Sequence, residues 1–392
     1  MSGWQDIPFG ALLAEPVRNG IYKQKAFHGR GAKIVNMGEL FAYPRLVDVK
    51  MKRVELTDSE KKKCLLQKGD LIFARRSLTA EGAGKCSIVS EVVEDTTFES
   101  SIIRARPNQE KSVPDFLYYY LNSPYGKYLL GTILRQVAVS GITGSDLMEL
   151  VLKIPNVHEQ KAIAAVLSSL DDKIDLLHRQ NKTLEALAAT LFRQWFVEGA
   201  QADWEVRPLS SIANFLNGLA CQKYPPTNEL DKLPVLKIRE LSSGISEASD
   251  WATSEVKPEY IVEAGDVVFA WSASLMVKVW DGERCVLNQH LFKVTSDELP
   301  KWFYLMWCKH HLAEFIAISA SHATTMGHIK RGDLDAAMVS IPSPEELKAM
   351  SEQMAPLLDK QVSISKQIRT LKTLRDTLLP KLMAGEIRIQ DA

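Results

Sequence analysis

Two textures of hydrophobic and polar positions alternate along the chain. In the first, apolar side chains recur at steps of four and three: Ile163, Leu167, Leu170, Ile174, Leu177, Leu184, Ala188, Leu191 and Trp195, with Asn181 standing in the row. That alternation marks a coiled-coil seam, narrower than the stripe of a helix lying on a globular core. It predicts a helix over about 157–197, roughly 60 Å long at the α-helical rise. One seam on so long a helix requires a partner. A second row supplies it: Met350, Met354, Leu357, Gln361, Ile364, Ile368, Leu371, Arg375, Leu378 and Leu382. Gln361 and Arg375 intrude on this row, while Leu358, Leu374 and Leu379 are expected to widen its apolar face. The simplest arrangement pairs the two helices antiparallel, with a globular domain at each end. Asn181 has two readings, a polar seam residue that sets register or a residue near a bend or wet edge.

The second texture precedes each long helix. Gly-Asp followed by four apolar residues reads as a turn entering a buried strand, in GDLIFARRS (69–77) and GDVVFAWSA (265–273). Further short strands follow, such as FESSIIRAR (98–106). A helical pattern then appears, PDFLYYYLNSPYGKYLL (114–130) in one place and PKWFYLMWCKHHLAEFI (300–316) in the other. The predicted class is α+β: two duplicated α/β domains separated by two long helices pairing as an antiparallel coiled coil.

The duplication is explicit. IPNVHEQKAIAAVLSSLDDKI (154–174) and IPSPEELKAMSEQMAPLLDKQ (341–361) begin 187 residues apart, and Ser-Asp-Leu at 145–147 meets Gly-Asp-Leu at 332–334 at the same offset. Upstream the offset drifts, as loops of different length require. VNMGEL (35–40) echoes LKIREL (236–241), Asn19-Gly-Ile echoes Asn217-Gly-Leu, and Trp4 and Trp204 open the two copies. A 187-residue period is a domain duplication, too long for a solenoid repeat. The boundaries follow: domain one at 1–153, a central helical region at 154–200, domain two at 201–341 and a distal helical region at 342–392. Each long helical region is taken to open at its Ile-Pro, with the first helix itself running from about 157.

Composition narrows the class. Apolar residues make up 46% and charged residues 24% of 392, an ordinary globular balance with no stretch long and apolar enough for a membrane span. The first residues, MSGWQDIPFG, lack a basic region and an apolar core, so no export signal is expected. Cys64, Cys86, Cys221, Cys285 and Cys308 lie far apart with no C-x-x-C pair, which predicts reduced, mostly buried thiols in a cytoplasm. Net charge is zero, yet residues 1–153 carry 22 Lys+Arg against 17 Asp+Glu and residues 201–341 carry 13 against 18. A uniform basic sheath for nucleic acid is excluded.

Two local patterns resemble catalytic motifs and fail on inspection. EGAGKCS (81–87) has Thr79 where a phosphate-binding loop needs its first Gly, and Cys86 where it needs Ser or Thr. NSPY (122–125) resembles the target-amine turn of DNA amino-methyltransferases. Ser123 replaces a proline there, and no glycine-rich cofactor turn after a strand precedes it. His158-Glu159 and His310-His311 are not spaced as metal ligands, so no metal site is predicted.

The remaining signals converge on one family. I-P-x-x-x-E-Q-K-x-I-A-x-x-L-x-x-x-D-x-K-I in 154–174, LLPKLMAGEIRI (378–389), the duplicated Gly-Asp segments, LNSPYG (121–126) and ASHATTMGHIKRGDL (320–334) resemble the DNA-specificity subunits of type I restriction-modification systems. One departure is Leu347, where the first copy has Gln160. The resemblance implies a non-catalytic subunit whose two target-recognition domains each read half of a split, double-stranded DNA target, with the helices setting the gap. It implies two methylating subunits and translocating nuclease subunits as partners, with S-adenosylmethionine, ATP and Mg bound by those partners and no cofactor on this chain. Two rivals stand beside it, a self-contained DNA amino-methyltransferase built on NSPY and a coiled-coil scaffold that does not touch DNA.

Within that frame the candidate DNA-reading residues are polar positions after the Gly-Asp strands and before the Ser/Gly-Asp-Leu repeats. In copy one they are Arg75, Arg76, Ser77, Thr79, Lys85, Gln136, Ser140 and Thr143. Arg75 and Arg76 suit bidentate contacts to guanine, or else surface salt bridges. In copy two they are Trp271, Ser272, Ser274, Lys278, His322, Thr324, Thr325, His328 and Lys330. Arg75-Arg76 corresponds to Ala270-Trp271 or to Trp271-Ser272, depending on the alignment, so the copies should read different bases. Trp271 is either a reader or a core residue.

Overall fold

The computed structural model describes residues 3–79, 82–135, 140–321 and 327–389. It divides into two compact units, Met1–Lys173 with Lys372–Ala392, and Ile174–Leu371. Each unit takes a segment of both long helices, so the helices belong to the units and not to regions beside them.

In the first unit a five-stranded sheet runs in the order Leu13–Asn19, Ile102–Pro107, Leu71–Ala74, Cys86–Val89, Arg45–Leu46. A three-stranded sheet places His28–Val35 between Lys52–Val54 and Thr96–Phe98. The second unit holds a four-stranded sheet, Asn214–Asn217, Leu291–Thr295, Val267–Ala270, Met276–Val279. A second four-stranded sheet runs Trp251–Thr253, Lys232–Leu236, Cys285–Leu287, Ile261–Val262. The strands after Gly-Asp, Leu71–Ala74 and Val267–Ala270, are buried throughout.

The Gly-Asp repeat is a turn device. Gly69 and Gly265 adopt φ of +89° and +107°, which favours glycine. The carboxylates of Asp70 and Asp266 accept the backbone N–H three residues back, from Gln67 at 2.7 Å and Glu263 at 2.9 Å. Asn-Gly recurs for a different reason. A Cβ on Gly20 would stand 2.2 Å from the Glu99 carbonyl, and one on Gly218 2.3 Å from that of Asn288, so only glycine permits the approach.

The helical pattern of copy one is two helices, Pro114–Asn122 and Pro124–Thr132, whereas copy two has one unbroken helix, Lys301–Ser321. Pro124 has no N–H to continue the first helix, and the Ser123 hydroxyl accepts from Gly126 N at 3.1 Å to start the second.

The long helices are Val157–Arg193, continued by a π-helical turn at Gln194–Glu198, and Pro344–Met383. The first helix thus begins at Val157, where the seam placed it, just past the Ile-Pro that opens the region. Ile154 and Ile341 end strands, Val151–Ile154 and Met338–Ile341, which pair antiparallel with Gln5–Pro8 and Glu205–Pro208. In both copies a tryptophan indole N–H donates to the helix's first-turn glutamate: Trp4 to Glu159 at 3.4 Å and Trp204 to Glu346 at 3.1 Å.

The seams pack largely as spaced. In the second unit Ile174, Leu177, Ile364 and Ile368 form a buried cluster, and further along Ala188 and Phe192 share a core with Met354 and Leu358. Rising numbers on one helix meet falling numbers on the other, so the pair is antiparallel. Asn181 is a seam residue: its Nδ2 donates to Ser365 Oγ at 3.0 Å. In the first unit Ile163 and Leu167 share a core with Leu382 and Met383, and Arg375 faces Asp171 at 2.7 Å. Leu374 does not widen the seam as expected; it is 43% exposed, on the outer side.

Candidate nucleic-acid interface

At the end of the Leu71–Ala74 strand the chain turns onto an edge built from remote segments. Arg75 N donates to Ser101 O at 2.8 Å, and Arg75 O accepts from Ile142 N at 3.0 Å. The Arg75 guanidinium reaches Ser100 O at 3.4 Å. Arg76 and Ser77 then form a two-residue strand against Ser140 and Gly141, leaving the Arg76 side chain exposed. Arg135 joins this edge by backbone bonds in both directions with Gly141, while its guanidinium holds Asp146 at 2.8 Å.

Other candidates in this unit are occupied by local structure. Thr143 caps the helix Gly144–Glu149, accepting from Asp146 N at 3.2 Å. The Ser77 hydroxyl accepts from Thr79 N at 3.2 Å, closing a turn. Lys85 donates to the Phe41 carbonyl at 3.0 Å and sits 4.8 Å from the Phe41 ring centroid. Burial, and then neighbouring Lys127, hold its ammonium below the usual lysine range. Lys85 is thus drawn inward, away from the phosphate-loop role its sequence resembles. Gln136 lies outside the described residues.

The second unit repeats the same backbone frame. Trp271 N donates to His290 O at 3.4 Å and Trp271 O accepts from Ile329 N at 3.1 Å, the bonds made by Arg75. The bridge between Ser272 and His328 repeats that between Arg76 and Gly141. The ambiguous alignment is resolved: Arg75 corresponds to Trp271 and Arg76 to Ser272.

The chemistry carried on that frame differs. The Trp271 indole lies against Phe292 at a centroid distance of 5.6 Å, with His290 and His328 at 6.0 and 6.2 Å. Its N–H donates to Asn217 Oδ1 at 3.1 Å. One face of Trp271 therefore packs inward, and the ring stays half-buried at the edge. Ser272 is a correction, since it is 3% exposed and its hydroxyl shares a 3.0 Å hydrogen bond with His290 Nδ1. It supports His290 and cannot itself face a ligand. Lys278 is another, because its ammonium binds the Leu241 and Ser242 carbonyls at 3.1 and 3.2 Å, capping a helix end. Lys330 N donates to Asp333 at 2.7 Å at the start of the helix Arg331–Ala336. Ser274 is exposed. His322, Thr324 and Thr325 lie outside the described residues.

Sequence reasoning missed Arg135, Asn217 and His290. The available signal was the repeat itself: His290 follows the Cys285–Leu287 strand as Ser101 follows Thr96–Phe98. The motif decoys resolve structurally. Asn122 Nδ2 donates to Tyr118 O at 2.9 Å and Cys86 O at 3.2 Å, and Ser123 is fully buried, so the NSPY turn joins two helices. All five cysteines are free and buried. Among the described residues no group of three or more His, Cys, Asp or Glu side chains stands together as a metal site, and no helix is long and apolar enough to cross a membrane.

One backbone frame recurs with different side chains, and comparison with known proteins likewise finds one domain twice. The model of the type I restriction modification DNA specificity domain matches residues 17–186 and 201–372, and the chain belongs to that family. It is similar to the MjaIX specificity subunit of Methanocaldococcus jannaschii, 27% identical over 304 residues that cover 71% of this chain and 70% of that one. The HindI specificity subunit of Haemophilus influenzae is 20% identical, with 99% and 100% covered. In fold the chain resembles the crystal structure of a type I restriction-modification S subunit from M. genitalium, with a TM-score of 0.60, 16% identity, and 99% and 97% covered. The chain is thus a non-catalytic specificity subunit of a type I restriction-modification complex, and the methyltransferase reading of NSPY falls away.

Proposed function

We propose that each unit reads one half of a bipartite duplex target and that the long helices set the gap between the halves. The observation carrying this is the shared backbone frame with exchanged side chains, Arg75-Arg76 in one unit and Trp271-Ser272 in the other. A frame of that kind holds readers at constant geometry while their hydrogen-bonding pattern changes, as direct readout of base edges requires. Two methylating subunits clasp the subunit and translocating nuclease subunits join them, in the cytoplasm. S-adenosylmethionine, ATP and Mg belong to those partners, which also supply much of the phosphate clamp that a neutral chain lacks.

The test is methylation mapping across a genome with the cognate methylating subunit. A split motif is expected, and Arg75→Ala with Arg76→Ala should relax one half of it only. An unchanged motif in that double variant would remove Arg75 and Arg76 from readout. Tight binding of S-adenosylmethionine by the isolated chain would contradict the assignment of methyl-donor chemistry to partners.

A further inference from the structure

Tyr22 is the most exposed aromatic side chain among the described residues of the first unit. Tyr22 is 82% exposed and makes no hydrogen bond or ring contact with the described residues. A ring left in water forfeits a burial worth having, yet the backbone beneath it is tightly held. Ile21 N donates to Phe98 O at 2.9 Å, Gly20 N donates to Ile102 O at 3.0 Å, and Gly20 sits where no Cβ fits. On the other side Lys23 pairs with Glu60 at 2.7 Å and covers the Phe27 ring. Tyr22 is therefore an exposed ring on a firmly held backbone, so a ligand has only its side-chain rotamer left to order.

Its position is specific. Ile21 bridges to Glu99, and the next two residues, Ser100 and Ser101, are those that Arg75 engages through guanidinium and backbone. Tyr22 and Arg75 thus flank one short segment. Lys25, exposed and with a side chain that makes no contact among the described residues, follows three residues on. In the second unit Leu219 repeats the bonds of Ile21, donating to Leu287 O and bridging to Asn288, so Ala220 stands in the place of Tyr22. There the aromatic ring comes instead from Trp271, in the place of Arg75. Each unit brings one aromatic ring to this edge, from a different position of the same frame.

Resting on the DNA-reading function above, we propose that Tyr22 is a DNA contact of the first unit, laying its ring against a base of that half-site beside the Arg75 guanidinium. Rings used this way supply stacking or wedge contacts with bases and base steps. The experiment uses the complex with its methylating subunit and two duplexes, the mapped target and the same duplex with the first unit's half scrambled. Tyr22→Ala should weaken binding to the target about tenfold and leave binding to the scrambled duplex unchanged, while Tyr22→Phe, which keeps the ring, should bind as the wild type. Three results would overturn the proposal: wild-type affinity in Tyr22→Ala, an equal loss on both duplexes, or failure of Tyr22→Ala to assemble with the methylating subunit, which would mark a protein contact. Arg75→Ala in parallel separates the two readings. If it weakens target binding while Tyr22→Ala does not, Tyr22 alone is misassigned; if neither variant matters, this edge does not read DNA.

Discussion

Arg375 occupies a seam position where a leucine would be the ordinary choice. Its guanidinium meets Asp171, 7% exposed, whose second oxygen accepts from the Tyr119 hydroxyl at 2.7 Å. The residue that looked like a defect in the second seam is one half of an enclosed pair. Asp171→Ala should lower unfolding stability by about 1–2 kcal/mol, because Arg375 loses its enclosed partner and Tyr119 its acceptor while Arg375 keeps the exposed Asp376, and adding Arg375→Leu should restore most of it. Urea unfolding of the two variants checks both. A second residue-scale prediction concerns Glu94, whose carboxyl is held down to about 2 by hydrogen bonds first from Arg53 and then from Lys33. Its folded value lies below the ordinary 4.5, so its contribution is present above that value and is lost as pH falls from 4.5 towards 2. The stability deficit of Glu94→Gln, measured by thermal melting, should therefore be full at neutral pH and vanish across that acid window.

At the scale of elements, the seam row and the flanking apolar position differ sharply in burial. Ile364 is 1% exposed and Leu374 is 43% exposed. Ile364→Ala should cost about 2–5 kcal/mol, and Leu374→Ala within about 0.5 kcal/mol, both read from denaturant midpoints. Asn181 gives its amide N–H to Ser365 Oγ but leaves its buried Oδ1 without a partner among the described residues. Asn181→Leu should raise the melting temperature, since an apolar seam residue removes that unmet acceptor. The price is expected in register specificity, where a lone polar contact has its best-attested role.

Over the whole molecule, two units of the same pattern have separate cores, and each takes in part of both helices. If the helices set the gap as proposed, inserting one heptad into both at matched levels should lengthen the mapped spacer. The helical rise gives about 10 Å, or roughly three base pairs. Methylation mapping of that variant showing the original spacing would remove the ruler role while leaving the two readers intact.

What the sequence by itself determined is what local physics encodes. Gly-Asp recurs because a turn needs left-handed glycine and a carboxylate over the preceding N–H, and Asn-Gly because a backbone approaches too closely for any Cβ. The four-three spacing placed Ile163 to Leu177 and Ile364 to Ile368 on buried seams. Family membership was legible for the same reason, since its signature lies in contiguous helix residues. Tertiary structure alone decided which polar side chains of the reading loops remain available. Ser272, Lys278 and Lys85 carry the right chemistry in the right stretch, yet each is taken up by a partner in the fold. His290 and Tyr22 drew no notice in the sequence and stand at the edge. The equivalence of Arg75 with Trp271 likewise needed the hydrogen bonds to Ser101 and His290. A side chain's availability depends on partners dozens of residues away, and no periodicity records those distances.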